Sequence, residues 1–134
     1  MAKEEKTNTV TDNYDVDELL VQQQFDELMI HCEPICRDEQ DYERIRQAFY
    51  FAKEAHKGVK RKSGEPYITH PLAVARIVVV EIGLGVKSVL AALLHDVVED
   101  TDYTVEDIEH RFGAKVASMV DGLTKLAGAF SQDK

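Results

Sequence analysis

VKSVLAALLHDVVED, residues 86–100, is the stretch that decides the fold. Val89, Leu90, Leu93, Leu94, Val97 and Val98 return at helical spacing, so the segment reads as a helix apolar enough to lie at the centre of a bundle. Four polar residues interrupt it: His95, Asp96, Glu99 and Asp100. His95 and Glu99 are four apart, as are Asp96 and Asp100, and Asp96 and Glu99 are three apart, so all four project to adjoining positions on one side. Burying such a face uncompensated costs several kcal/mol per carboxylate, and a metal ion in a wet cleft removes that cost. An ordinary capped His-Asp pair with solvated acids in the last turn is the bland alternative. The further carboxylates and an upstream histidine weigh against it.

Working outward, helices flank this segment on both sides. Apolar residues from Asp15 to Cys32 (Leu19, Leu20, Phe25, Leu28, Met29) predict a first helix, interrupted by Pro34. A second fits Asp41 to Lys57, with Ile45, Ala48, Phe49 and Ala52 on one stripe and Gly58 as its stop. Pro71 suits the first position of a third helix capped by Thr69 or His70. Its run Leu72 to Ile82 is apolar nearly all round, which predicts a central position, and Gly83 and Gly85 end it. Thr104 to Asp107 resembles a capping box that opens a short helix closed by Gly113, and a last helix follows to about Leu123. β-Branched runs such as Ile77 to Val80 lack partner strands with hairpin turns, so the expected class is all-α, a helical bundle without internal repeat.

His70, in Tyr67-Ile68-Thr69-His70-Pro71, sits at the mouth of the third helix and can offer an imidazole nitrogen to a divalent metal. A plain capping histidine is the competing reading. Imidazole with carboxylate suits manganese, iron or zinc better than an all-oxygen calcium site. Such an ion lowers the pKa of a coordinated water, which makes phosphate-ester hydrolysis a natural chemistry. Just upstream, VKRKSGEPYIT is a basic loop marked by Gly64 and Pro66, with Lys60, Arg61 and Lys62 following Lys57. Arg61 is its strongest candidate, since a guanidinium binds phosphate bidentately or stacks on a base, and Ser63 adds a donor.

Bulk composition bounds the rest. With 134 residues, one domain with a single core is expected. The net charge of −9 argues against non-specific nucleic-acid binding, so phosphate recognition has to be local. No apolar run is long enough to span a bilayer, and the start lacks the apolar core of a secretory signal, so no membrane partner is expected and the cytoplasm is the expected compartment. Cys32 and Cys36 are too few for a disulfide scaffold and read as structural thiols. Residues 1–14 read as a flexible lead-in and 15–134 as the folded domain.

Ala55-His56-Lys57-Gly58, RKSGEPYITHP at 61–71, LLHDVVEDTD at 93–102 and VDGLTKL at 120–126 together resemble the hydrolase domain of the RelA/SpoT family, which makes and breaks the guanosine alarmones ppGpp and pppGpp. The resemblance implies an HD-domain helical bundle with manganese, or another divalent first-row metal, held by His70, His95 and Asp96. It implies that Glu99 and Asp100 assist the water, that Arg61, Lys62 and Ser63 hold the guanine nucleotide, and that Tyr67 lies beside the base. The implied reaction releases pyrophosphate from the 3′-diphosphate and leaves GDP or GTP.

In that family a further metal-binding Asp sits in an Asp-Arg-containing helix downstream, and the synthetase domain that often follows also lies beyond this segment. The resemblance therefore implies a partial HD-type hydrolase domain over 15–134, incomplete at its C-terminus, with weak or absent activity on its own. Apolar surface of the third and fourth helices is then expected to be exposed and to drive self-association. Two other readings stand beside this one: a nucleotide-binding or regulatory HD module without turnover, and a family relative that hydrolyses another nucleotide.

Overall fold

The computed structural model describes residues 9–132. It is helical: α1 (Thr9–Cys32), a 3₁₀ turn (Glu33–Ile35), α2 (Glu39–Ala55), α3 (Thr69–Arg76) running into a π-helical segment (Ile77–Ile82), α4 (Val86–Asp100), α5 (Val105–Phe112) and α6 (Ala114–Gln132). The expected all-α class is what the chain adopts. No strand occurs among the described residues; one isolated bridge joins Lys60 to Pro66.

α4 is the central element. Val89 through Leu94 and Val97 are buried, and the helix packs against α6, α2 and α3, while α5 packs on α6 and α1 on α3. Each fully buried Leu of α4 contributes about 1.5–3 kcal/mol relative to exposure, so this packing sets the position of the polar residues at its C-terminal end. Phe25 of α1 stacks on Phe49 of α2 at 4.0 Å between ring centroids, closing the core on the other side.

Several boundaries and faces differ from expectation. α1 starts at Thr9, within the segment read as a lead-in, and residues 1–8 of that lead-in lie outside the described residues. Its buried stripe is Val21, Phe25, Leu28 and Cys32, and Leu19, read as part of the apolar face, is 60% exposed. α2 begins at Glu39 because the Asp38 carboxylate caps it, accepting from the Asp41 backbone N–H at 3.1 Å. It ends at Ala55, with His56 as its C-cap and Gly58 two residues on in the left-handed region (φ +82°). α6 continues past Leu123 to Gln132.

The third helix is not central. Thr69, Pro71, Leu72 and Ala75 are buried, but the π-helical continuation buries none of its residues, and Ile77 and Ile82 are 47% and 60% exposed. A run that is apolar all round carries no information about which side a neighbour covers, and here α4 and α1 pack mainly on the α3 turns and touch the π segment more lightly, with Val78 and Val79 half-buried against the core. The capping box of α5 forms as expected: Thr104 accepts from the Asp107 N–H at 3.1 Å and Asp107 accepts from the Thr104 N–H at 2.9 Å.

Candidate metal centre

The basic loop between α2 and α3 is a tight, pinned turn. Arg61 N–H donates to the Glu65 carbonyl at 2.9 Å, Gly64 N–H to the Arg61 carbonyl at 2.9 Å, and Tyr67 N–H to the Val59 carbonyl at 2.8 Å. Gly64 takes φ +107°, a conformation that L side chains rarely adopt. The turn delivers Tyr67 and the start of α3 to the C-terminal end of α4. Thr69, buried at the first turn of α3, donates to the Pro66 carbonyl at 2.8 Å, and the Arg61 guanidinium lies 3.5 Å from its hydroxyl.

Asp96 is where these elements meet. Its Oδ2 accepts from the Tyr67 hydroxyl at 2.9 Å and lies 3.6 Å from His70 Nε2, and its Oδ1 lies 3.0 Å from His95 Nε2. One donor atom from each of His95, Asp96 and Glu99 lies within 4.8 Å of the others, a group able to hold a metal ion. His70 joins this group through Asp96. His95 Nδ1 is buried without a hydrogen-bond partner among the described residues, so one ring nitrogen is left uncommitted. Two imidazoles with carboxylates form a mixed nitrogen–oxygen donor set of the kind first-row divalent ions take.

The electrostatics agree with this convergence. Burial pushes the Asp96 carboxyl up, but the His95 hydrogen bond and charge, the Tyr67 hydroxyl and His70 outweigh it, and the group lies below its ordinary range. The hydrogen bond to Asp96 holds His95 above the ordinary histidine range, against burial, which pulls it down. Burial, followed by the Asp96 charge and the hydrogen bond to it, pushes the Tyr67 phenol well up, which keeps it a donor at neutral pH.

The structure thus brings Tyr67, His70, His95, Asp96 and Glu99 together, and Arg61 reaches the same corner through Thr69. Asp100, one turn after Asp96, is half-exposed and faces His56. Lys62 and Ser63 stand on the exposed face of the turn, with the Ser63 hydroxyl on the Glu65 carboxylate. Lys60 is drawn away to Asp17 of α1 at 3.0 Å. Sequence reasoning assigned no role to His56, although it lies in one of the family-like segments. Its signal is a histidine two residues before the loop Gly58, and a capping residue gives the same signal.

An α-helical domain built around an adjacent histidine and aspartate, with a second imidazole from the start of α3 and two acids on the same helix as the pair, is the class that this fold and site define. The chain belongs to the HD-domain family, whose model matches residues 48–133. Its HD region is similar to guanosine-3′,5′-bis(diphosphate) 3′-pyrophosphohydrolase of Aquifex aeolicus, 53% identical over 87 residues and 65% of the chain. It is also similar to the bifunctional (p)ppGpp synthase/hydrolase SpoT of Escherichia coli, 50% identical over 96 residues and 72% of the chain. The chain spans 12% and 14% of the lengths of these two relatives. A solved structure described as a metazoan ortholog of SpoT that hydrolyses ppGpp is 36% identical, with a TM-score of 0.55 over 58% of this chain and 46% of the other. The RelA/SpoT resemblance read from the sequence motifs therefore holds for the HD region. No helix among the described residues is long and apolar enough to cross a membrane.

Proposed function

We propose that this domain hydrolyses the 3′-diphosphate of guanosine tetra- and pentaphosphate, releasing pyrophosphate and leaving GDP or GTP. The observation that carries the reading is the meeting at Asp96 of His95, His70 and Tyr67, from two helices and the basic turn, in a chain whose HD region is half identical to alarmone hydrolases. His70, His95 and Asp96 would hold the ion, with manganese favoured and other divalent first-row metals alternatives. When bound, the ion supplies Lewis acidity to a phosphoryl oxygen and makes hydroxide available near neutral pH.

The remaining roles belong to the chain's own side chains. Tyr67 orients Asp96 by its hydroxyl and, by its ring, flanks the place where a base would lie. Glu99 and Asp100, one turn along α4, take the proton from the attacking water and return it to the leaving group. Arg61, anchored beside Thr69, binds the nucleotide's phosphate or stacks on its base, and Lys62 and Ser63 supply further donors from the exposed side of the turn. Soluble, cytoplasmic turnover of the stringent-response nucleotides is the setting this implies.

The test is pyrophosphate release from ppGpp with manganese, comparing residues 1–134 with the same chain continued at its C-terminus through an Asp-Arg-containing helix. Turnover by the longer chain alone supports a hydrolase whose metal site takes one more acid from downstream. Absence of turnover in both, with manganese bound and the fold intact, overturns the substrate assignment in favour of a binding module or another nucleotide.

A further inference from the structure

His56 caps α2 behind the metal centre and has no part in the reading above. Its side chain is almost fully buried, and its ring lies against that of Tyr67 at 4.8 Å between centroids. Nδ1 is 3.1 Å from the Ala52 carbonyl oxygen. A carbonyl only accepts, so Nδ1 carries a proton. Nε2 is also buried, has no formed hydrogen bond, and faces Asp100 Oδ2 at 3.5 Å. In the neutral ring that arrangement would set a buried lone pair without a partner against a carboxylate oxygen. A proton on Nε2 removes the conflict: the ring becomes a two-ended donor between the Ala52 carbonyl and Asp100.

We infer that His56 is a positioning residue for Asp100: anchored at Nδ1 on Ala52, it holds the Asp100 carboxylate at the rim of the metal centre through a proton on Nε2. Asp100 is 45% exposed on its side chain, so it has room to turn the few tenths of an ångström that complete the bond, and such contacts tighten when a site is loaded. The Tyr67 ring packs on the same imidazole while its hydroxyl holds Asp96, so one buried cluster orients both the acid assigned to the metal and the acid assigned to the water.

What Asp100 does rests on the hydrolase reading; the His56–Asp100 bond does not. The first measurement is therefore a nitrogen-resolved NMR spectrum of the histidine side chains in the metal-free chain at about pH 6.5, near the ordinary histidine range. The expected result is His56 protonated at both nitrogens, and in Asp100→Asn protonated at Nδ1 alone. A bare Nε2 in the unmodified chain, or a ring indifferent to Asp100→Asn, overturns the inference. The second measurement is His56→Gln in the hydrolase assay, where kcat is expected to fall roughly ten- to a hundred-fold with KM and manganese affinity unchanged. An unaltered kcat in a variant that melts like the parent counts equally against it. The assay is run in the C-terminally continued chain, and if that parent fails to release pyrophosphate, the hydrolase reading falls and the NMR comparison still decides the bond. That comparison also covers the case in which His56→Gln does not fold, since Asp100 is a half-exposed side chain.

Discussion

The Tyr67 hydroxyl donates to Asp96 Oδ2 at 2.9 Å, tying the basic turn to the central helix at the residue on which the site converges. Tyr67→Phe keeps the ring and removes only the donor. A hydrogen bond to a charged acceptor contributes about 1.5–3 kcal/mol, so denaturant unfolding of the metal-free variant should show a loss near the lower end, with m unchanged. A loss within experimental error would mean that Asp96 draws its support from His95 and His70 alone.

Asp96 and Glu99 should separate cleanly. Asp96→Ala removes the acid on which His70, His95 and Tyr67 converge, and manganese binding measured by calorimetry should be lost. Glu99→Ala should retain the ion and reduce turnover by about two to four orders of magnitude, the range for a proton-handling group. Manganese affinity surviving in Asp96→Ala would contradict its assignment as a ligand.

Metal uptake should depend on pH through His95. The bond to Asp96 raises this histidine, so protons compete more strongly with an incoming ion for its ring. The sign follows: affinity weakens as pH falls through the raised histidine range and strengthens above it, with proton release on binding near neutrality. Calorimetry in buffers of different ionisation enthalpy reads the released protons, and a pH-independent affinity between about pH 6 and about pH 8 would exclude histidine ligation.

The two cysteines should react unequally. Burial, with a smaller contribution from Cys36, pushes the Cys32 thiol up to about 12, and the residue has no exposed surface, whereas Cys36 is partly open. Thiol titration of the native chain at about pH 8 should show one accessible group, with the second appearing only in denaturant. Equal rates for both would show that the end of α1 opens readily.

Self-association, expected from exposed faces of the third and fourth helices, narrows to the π-helical segment, because α4 is covered. Ile77, Val80, Ile82 and Leu84 are exposed there. Concentration-dependent sedimentation should be reduced in Val80→Asp/Ile82→Asp, while Leu93→Ala, in the core, should instead cost about 2–5 kcal/mol of stability. Unchanged association in the double variant would place the contact elsewhere.

Sequence alone determined the helical class, the central place of residues 86–100 and which polar residues share one side of that helix, because these rest on local information. Helical periodicity puts His95, Asp96, Glu99 and Asp100 on one side, and the Thr104–Asp107 cap is written within four residues. Tertiary structure decided which apolar faces are covered, leaving Leu19 and the π segment outside, and it decided what the polar groups touch. Tyr67 meets Asp96, and His56 meets Asp100, only because α2 and the pinned turn pack against the end of α4. Local spacing constrains neighbours one helical turn apart; partners far apart in the chain are selected by the packing free energy of whole elements, which no single motif encodes.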